Sequence, residues 1–204
     1  MISPARLVIL LLVFLSLASF KKQVNDWVYE REKKGIKVFT RKGKWGNFRD
    51  SRATMLVTSK PEQLLSVLTD FDNYKSWYPR CSASRIVARL NENEMIVQMH
   101  FNAPWPIKDR DCVIRVRVQK DKDGTITIFQ TSEPKYIREE SDVVRIQQIQ
   151  AVWKLSPRNG GTEVTNEYSS NPGGNIPDWM TNTQSVETPI ATFESLQEKS
   201  NAKK

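Results

Sequence analysis

The chain has 204 residues, 39% of them hydrophobic, and contains no low-complexity tract and no internal repeat. This length and composition are typical of one globular domain with a substantial core, and they exclude repeat architectures and an intrinsically disordered chain. The sequence has a single histidine, two cysteines and no CxxC motif. A Cys/His metal site is therefore poorly supported, and we expect no metal and no other cofactor.

The amino-terminal segment has the pattern of a secretory signal peptide. Arg6 precedes a short, uncharged apolar run with small residues at Ser16 and Ala18. The run is shorter than the ~20 residues that cross a bilayer, so residues 1–20 are predicted to be a signal peptide, cleaved near 18–20. We therefore expect an exported protein, periplasmic or secreted. The alternative is a protein tethered to the membrane by this segment as an uncleaved anchor.

The net charge of +8 is distributed unevenly along the chain. Between Lys21 and Arg49 there are ten lysines and arginines and three acidic residues, whereas the chain from Asp50 onward is balanced. Such a basic segment could contact anionic lipid headgroups, with Lys42 and Lys44 as the predicted membrane-contact residues. One alternative is a solvated face that keeps the protein soluble. Another is nucleic-acid binding, but export argues against it and we expect no nucleic-acid partner.

The first elements of the chain alternate between strand and helix patterns. Strand-like runs occur between Trp27 and Thr58, the last of them with alternating apolar residues. Ser59 and Glu62 then have the spacing of a capping box, which predicts that a helix begins at Ser59. A second short helix is predicted from Asp72.

The rest of the chain predicts a meander of strands and one long helix. Three hairpins have polar turns at 91–94, 121–124 and 158–161. An amphipathic helix follows, from about Pro177 to Lys199. One helix on a curved antiparallel sheet is an α+β arrangement. Because a strongly bent sheet need not close its core around one helix, we expect a cavity between the two.

The two cysteines are predicted to be free thiols. Cys81 precedes the predicted strand at 95–101 and Cys112 follows it. A strand between them would separate the two residues by more than the ~7 Å between Cα atoms that a disulfide can bridge.

Several short motifs occur in a fixed order between Trp27 and Leu196. They are Gly35–Arg41, Asp70 with Trp77, Pro104–Asp111, Trp153–Pro157, Gly161–Val164 and Pro172–Met180. In this order and spacing the chain resembles the START domains, the lipid-transfer domains related to steroidogenic acute regulatory protein, and their bacterial relatives in the helix-grip superfamily.

The resemblance implies a helix-grip fold of class α+β. In this fold a curved antiparallel sheet wraps around a long carboxy-terminal helix, with two short helices after the first strands. A single lipid-binding domain is expected over residues 21–200, followed by a disordered tail at 201–204. The family also implies an internal tunnel that holds one hydrophobic ligand.

One position departs from the pattern of some sterol-binding members of the family. In those proteins an arginine follows the Arg-Asp pair by five residues and forms a buried charge pair in the tunnel. Here that position is Val116, and its neighbours Arg115 and Arg117 face the other side of the strand. The polar contact of the sterol-binding members therefore does not carry over to this chain.

The candidate ligand-binding residues are apolar side chains of the central strands and the last helix, together with one arginine. In most proteins, apolar residues of this kind belong to the hydrophobic core. As a set, however, these residues favour an apolar pocket with few polar groups. They are Met95, Val97, Met99, Phe101, Trp105, Arg145, Trp153, Tyr168, Trp179, Met180, Ile190 and Phe193.

The predicted function is binding, with transfer or sequestration, of a lipid or other hydrophobic small molecule by a monomeric carrier. No catalytic residue is predicted, because the chain lacks a Gly-x-Ser-x-Gly motif and a phosphate-binding loop. The alternative is a cyclase/aromatase-like enzyme that acts on a polyketide- or steroid-like substrate in the same cavity. An inward-facing His100 beside a carboxylate would favour this enzyme, because it would supply a general acid–base group.

Overall fold

A computed structural model describes residues 26–46, 48–174 and 176–202. The predicted signal peptide at 1–20 lies outside the described residues, as do the last two residues of the predicted tail. Within the described residues, no helix is long and apolar enough to cross a membrane.

Strands are the commonest element of the described chain. They are β1 (Val28–Lys33), β2 (Ile36–Arg41), β3 (Asp50–Val57), β4 (Cys81–Asn91), β5 (Glu94–Phe101), β6 (Arg110–Lys120), β7 (Ile126–Ser132), β8 (Val144–Arg145), β9 (Gln148–Arg158) and β10 (Gly161–Asn171). The helices are α1 (Pro61–Leu68), a 3-10 helix (Phe71–Ser76) and α2 (Asp178–Ala202). Helix α2 therefore includes Asn201 and Ala202, the first two residues of the predicted tail.

The strands form one sheet in the order β1-β2-β3-β10-β9-β7-β6-β5-β4, with every pair along this path antiparallel. The short strand β8 pairs with β6 in parallel. The three predicted hairpins are β4–β5, β6–β7 and β9–β10, and pairing of β10 with β3 joins the meander to the first strands. Helix α2 contacts β2, β3 and α1. The predicted α+β helix-grip fold is confirmed.

The core lies where the second half of α2 packs on the sheet. Ile190, Phe193 and Leu196 are spaced three residues apart, so they share one helix face, and each is at most 2% exposed. The Phe193 ring stacks on Trp153 of β9, with ring centroids 5.5 Å apart. Burial of each of these large side chains stabilises the fold by about 2 kcal/mol, which holds this half of α2 on the sheet.

The start of α1 differs from the prediction. The helix begins at Pro61 after Lys60, and no side chain caps it. Ser59 instead belongs to the junction with β10, where its carbonyl accepts a hydrogen bond from the Thr162 hydroxyl at 2.7 Å. A Cβ atom at the adjacent Gly161 would overlap the Val57 carbonyl, so the two segments approach more closely than a side chain allows. The prediction of a capping box was wrong, because this tertiary contact determines where Ser59 lies.

The cysteines lie on strands that are not neighbours. Cys81 on β4 is opposite Phe101 of β5, and Cys112 on β6 is opposite Met99 of the same strand. Strand β5 therefore separates the two cysteines, as predicted. Both are buried and free.

Candidate ligand-binding cavity

A cavity of about 290 Å³ lies between the sheet and α2, mainly beneath the first half of the helix. Its sheet wall includes Met99 of β5, Ile149 of β9 and Tyr168 of β10, and its helix wall includes Thr188 and Thr192. Small-molecule sites in proteins have volumes of ~300–1,000 Å³, so the cavity is close to the lower end of this range. The first half of α2 presents mostly small polar side chains to the cavity, and these leave space between the helix and the sheet. In the second half, larger side chains fill the corresponding space.

Strand β6 shows why particular residues face the cavity. Side chains alternate between the two faces of a strand, so Arg110, Cys112 and Ile114 line the cavity. Asp111 and Arg115 point to the opposite face, where each forms an ion pair. The Arg-Asp dipeptide at the start of β6 therefore places a cation and an anion on opposite faces of the sheet.

The tyrosines and the cysteine of the lining are held in their neutral forms. Tyr74 and Tyr78 stack with ring centroids 5.1 Å apart, and the Tyr74 hydroxyl donates to the Leu68 carbonyl at 2.6 Å. Burial raises the pKa of both tyrosines above the usual range. It also raises the pKa of Tyr168 to about 12 and that of the Cys112 thiol to about 12. At neutral pH these side chains therefore contribute no charge to the cavity.

The charged side chains in the described lining are all arginines. Arg49, Arg80 and Arg110 line the cavity, and no aspartate or glutamate is among the described lining residues. Arg49 is paired with Glu30 at 2.7 Å. Arg80 is exposed, whereas Arg110 is only 7% exposed. The cavity therefore combines a largely apolar wall with positive charge.

The comparison with known families agrees with the fold. A family model for the START domain matches residues 15–193. The chain belongs to the START-domain family.

Human phosphatidylcholine transfer protein is 30% identical over 168 residues, which cover 77% of this chain and 75% of that protein. An uncharacterised protein of Pseudomonas aeruginosa is 27% identical over 173 residues, with 84% and 85% coverage. The crystal structure of a STAR-related lipid transfer protein from Xanthomonas axonopodis has a TM-score of 0.81 at 29% identity, and the match covers 87% of this chain and 99% of that chain.

This START domain places eleven of the twelve predicted ligand-binding residues in three different surroundings. The cavity lining includes Met99, Phe101, Tyr168 and Met180. The hydrophobic core, outside the described lining, contains Met95, Val97, Trp153, Ile190 and Phe193. The surface carries Trp105, which is 93% exposed, and Trp179, which is 68% exposed. The strand pattern identified the face of β5 correctly, but position along the strand decides whether that face meets the cavity or packed side chains.

The twelfth predicted residue, Arg145, lies away from the cavity of the START domain. It stands opposite Asp111 in the β6–β8 pair. Its guanidinium donates to the two carboxylate oxygens at 2.8 and 2.7 Å, and the two side chains are at most 1% exposed. Although burial alone would raise the pKa of Asp111, hydrogen bonds from Arg145 and Gln98 lower it below its ordinary value. Arg145 therefore satisfies an internal charge and does not line the cavity.

His100 also lies on the outer face of the sheet, opposite in direction to Met99 on β5. Its Nε2 atom is 3.6 Å from a carboxylate oxygen of Glu140, and it stands opposite Asp111 on β6. These three residues are close enough together to hold a metal ion. However, both Asp111 oxygens already accept hydrogen bonds from Arg145. His100 is absent from the described lining, so it supplies no acid–base group to the cavity.

The sequence prediction missed several lining residues. Those on strands are Ser51, Arg110, Cys112, Ile114, Gln130, Ile149, Asn166 and Ser170, and those on α2 are Gln184, Ser185, Thr188, Pro189 and Thr192. The alternation on β6 was readable from the sequence and would have identified Arg110, Cys112 and Ile114. The polar residues of α2 carry no such signal, because a polar helix face usually meets solvent.

The raised pKa of Cys112 predicts a loss of stability at alkaline pH. The ordinary pKa of a cysteine thiol is 9.0, and burial raises the pKa of the Cys112 thiol in the folded protein to about 12. The stabilisation is therefore complete below pH 9 and is lost as the pH rises through this window. When the pH is raised from about 8 to about 10, the free energy of unfolding should fall in both proteins. We expect the fall to be about 1 kcal/mol smaller in Cys112→Ala than in the parent. Urea unfolding of the reduced proteins measures this difference.

The matched control is Ile114→Ala, which removes a neighbouring cavity side chain but no titrating group. This variant should lose stability at both pH values and keep the pH dependence of the parent. An equal pH dependence in Cys112→Ala and the parent would contradict the prediction.

Proposed function

We propose that this START domain binds one lipid-like molecule in the cavity and transfers or sequesters it without changing it chemically. The observation that carries the proposal is the space between the sheet and α2, lined by Met99, Phe101, Ile114, Ile149 and other apolar residues. Burial of the apolar part of a ligand there would contribute about 25 cal/mol for each Å² removed from water. The family to which the chain belongs supports the same function.

The surroundings of the titratable groups support a carrier over an enzyme. A cyclase would need a group in the cavity that exchanges a proton near neutral pH. The tyrosines and Cys112 have pKa values raised by burial, and His100 lies on the other face of β5. The described lining therefore offers binding surface and no group suited to acid–base catalysis.

A substitution that fills the cavity tests the proposed binding. In Ile149→Trp the larger side chain would occupy the space beside β9, so we expect loss of ligand without loss of fold. Gently purified parent protein should release a hydrophobic molecule into organic solvent, detected by mass spectrometry. After delipidation, adding that molecule back should raise the melting temperature, because a ligand of the native state stabilises it by mass action.

Val152→Trp is the matched control, because residue 152 faces the opposite side of the same strand. It should retain the molecule. Repeated extraction of the parent that yields nothing, together with no stabilisation by a broad lipid panel, would count against the proposal.

The loops around the cavity support transient docking on an anionic membrane. Lining residues come from the β2–β3 loop, the β5–β6 loop and the segment before α2. The β5–β6 loop also carries the exposed Trp105, and the first turn of α2 carries the exposed Trp179. Tryptophan is enriched at membrane–water interfaces. A membrane contact here would bring the cavity to the lipid surface.

The ion pairs explain why Lys42 and Lys44 are the residues to test. Five other described cations of the basic segment are paired within the fold; Arg31, for example, pairs with Glu187 and Lys33 pairs with Glu194. Among the described residues, neither Lys42 nor Lys44 forms a salt bridge. The Lys44 ammonium donates to the side-chain amide oxygen of Gln150, which carries no negative charge.

Charge reversal at these positions tests the docking. We expect Lys42→Glu/Lys44→Glu to weaken binding to vesicles containing phosphatidylserine by at least about tenfold, since each lysine near such a surface contributes about 1 kcal/mol. Added salt should weaken binding by the parent, because it screens the attraction over ~8 Å at physiological ionic strength. The control Lys120→Glu/Lys122→Glu makes the same charge change at the end of β6 that is roughly 33 Å from Arg110. Vesicle sedimentation that ranks both variants equally would refute docking through the loop.

We also propose that the protein is exported, on the basis of the amino-terminal pattern. Amino-terminal sequencing of the protein from its native source should then find a mature chain that begins after cleavage near 18–20. A chain that retains residues 1–20 would instead favour the anchor.

A further inference from the structure

We propose that the lipid carries an oxyanion, a phosphate or carboxylate headgroup, and that Arg110 binds this group in the cavity. The inference rests on the proposed lipid-binding function and specifies the chemical class of the ligand. It starts from one side chain, a buried guanidinium without an anionic partner.

Arg110 is 7% exposed and lines the cavity. Its Nη1 atom donates to the Lys108 carbonyl and its Nη2 atom to the Gly173 carbonyl at 3.4 Å. Its Nε atom is buried and has no hydrogen-bond partner. Among the residues whose side chains are described, none forms a salt bridge with it. An arginine has five N–H donors, so this guanidinium keeps donors available for a ligand.

Arg145 shows what the same protein does with a buried arginine that has a structural role. Its guanidinium donates short hydrogen bonds to both carboxylate oxygens of Asp111. Arg110 and Asp111 are neighbours on β6, so the difference arises from the face of the sheet on which each lies. A buried charge without a hydrogen-bonded counter-charge is costly. Burial lowers the pKa of Arg110, although the nearby Asp109 carboxylate partly opposes this shift. A ligand oxyanion would supply the missing counter-charge.

The other charges of the described lining have the same sign. Arg80 has no carboxylate partner in the described part of the chain, and Arg49 already has Glu30. The nearest charge in sequence, Asp109, is exposed and accepts a hydrogen bond from the Ala103 amide. The cavity is therefore suited to an anion and offers no carboxylate for a cation. Arginine binds phosphate and carboxylate groups in a two-pronged geometry, which sets the chemical class.

The test compares lipids that differ only in the headgroup. One pair is oleoyl lysophosphatidic acid and mono-oleoylglycerol, and the second is dioleoyl phosphatidic acid and dioleoylglycerol. Displacement of a bound fluorescent fatty alcohol from delipidated protein measures affinity for each. We expect the parent to bind the phosphate member of at least one pair about tenfold to hundredfold more tightly than the neutral member, as for a hydrogen bond to a charged group.

Three variants assign the preference to a residue. Arg110→Gln should bind the two members of the pair with equal affinity. Arg110→Lys should keep part of the preference, because the charge remains but the two-pronged geometry is lost. Arg117→Gln removes the same charge from β6 at an exposed position outside the described lining, so it should behave as the parent. If Arg110→Gln does not fold, Arg110→Lys and competition by inorganic phosphate against the parent decide the question.

The possible outcomes separate the inference from the function on which it rests. Equal affinity of the parent for both members of each pair would overturn the oxyanion site while leaving lipid binding intact. A preference that folded Arg110→Gln retains, or that Arg117→Gln also loses, would overturn the role of Arg110. Binding of inorganic phosphate alone as tightly as the phosphate lipids would identify a free anion as the ligand. Failure of every lipid to bind would overturn the proposed function itself.

Discussion

The buried ion pair between Asp111 and Arg145 is the contact on which the site depends. It joins β6 to β8 in parallel register, and Arg145 also donates to the carbonyls of Pro134 and Ile137. The pair therefore holds the segment between β7 and β8 on the outer face of the sheet. Loss of either partner would leave an unpaired buried charge, which typically costs about 3–5 kcal/mol. Conversely, a fully satisfied pair fixes the backbone at the start of β6.

The fixed start of β6 determines what the cavity contains. Because neighbouring residues face opposite sides of a strand, a strand that turns Asp111 outward turns Arg110 and Cys112 inward. The outward anion is neutralised within the protein. The inward cation meets only two carbonyl groups among the described residues, and its charge is available to a ligand. Structural and binding roles are thus divided between two adjacent residues.

The two halves of helix α2 also have separate structural and binding roles. The second half packs directly on the sheet through Ile190, Phe193 and Leu196, all nearly or fully buried. The first half presents Ser185 and Thr188 to the cavity. Short side chains cannot reach the sheet, so the separation of helix and sheet set by the second half becomes a cavity under the first. One helix therefore both anchors the fold and covers the ligand site.

The sequence by itself determined the family, the helix-grip fold, the hairpins and the separation of Cys81 from Cys112. These features depend on local periodicity and on motif order, which a chain carries without its tertiary contacts. Only the tertiary structure decided that Arg145 pairs with Asp111 and that Arg110 lines the cavity. It also placed Met99 in the cavity lining, whereas Val97, on the same face of the same strand, is part of the packed core. The physical reason is that periodicity defines the face of a residue, whereas the partners across that face come from distant segments of the chain.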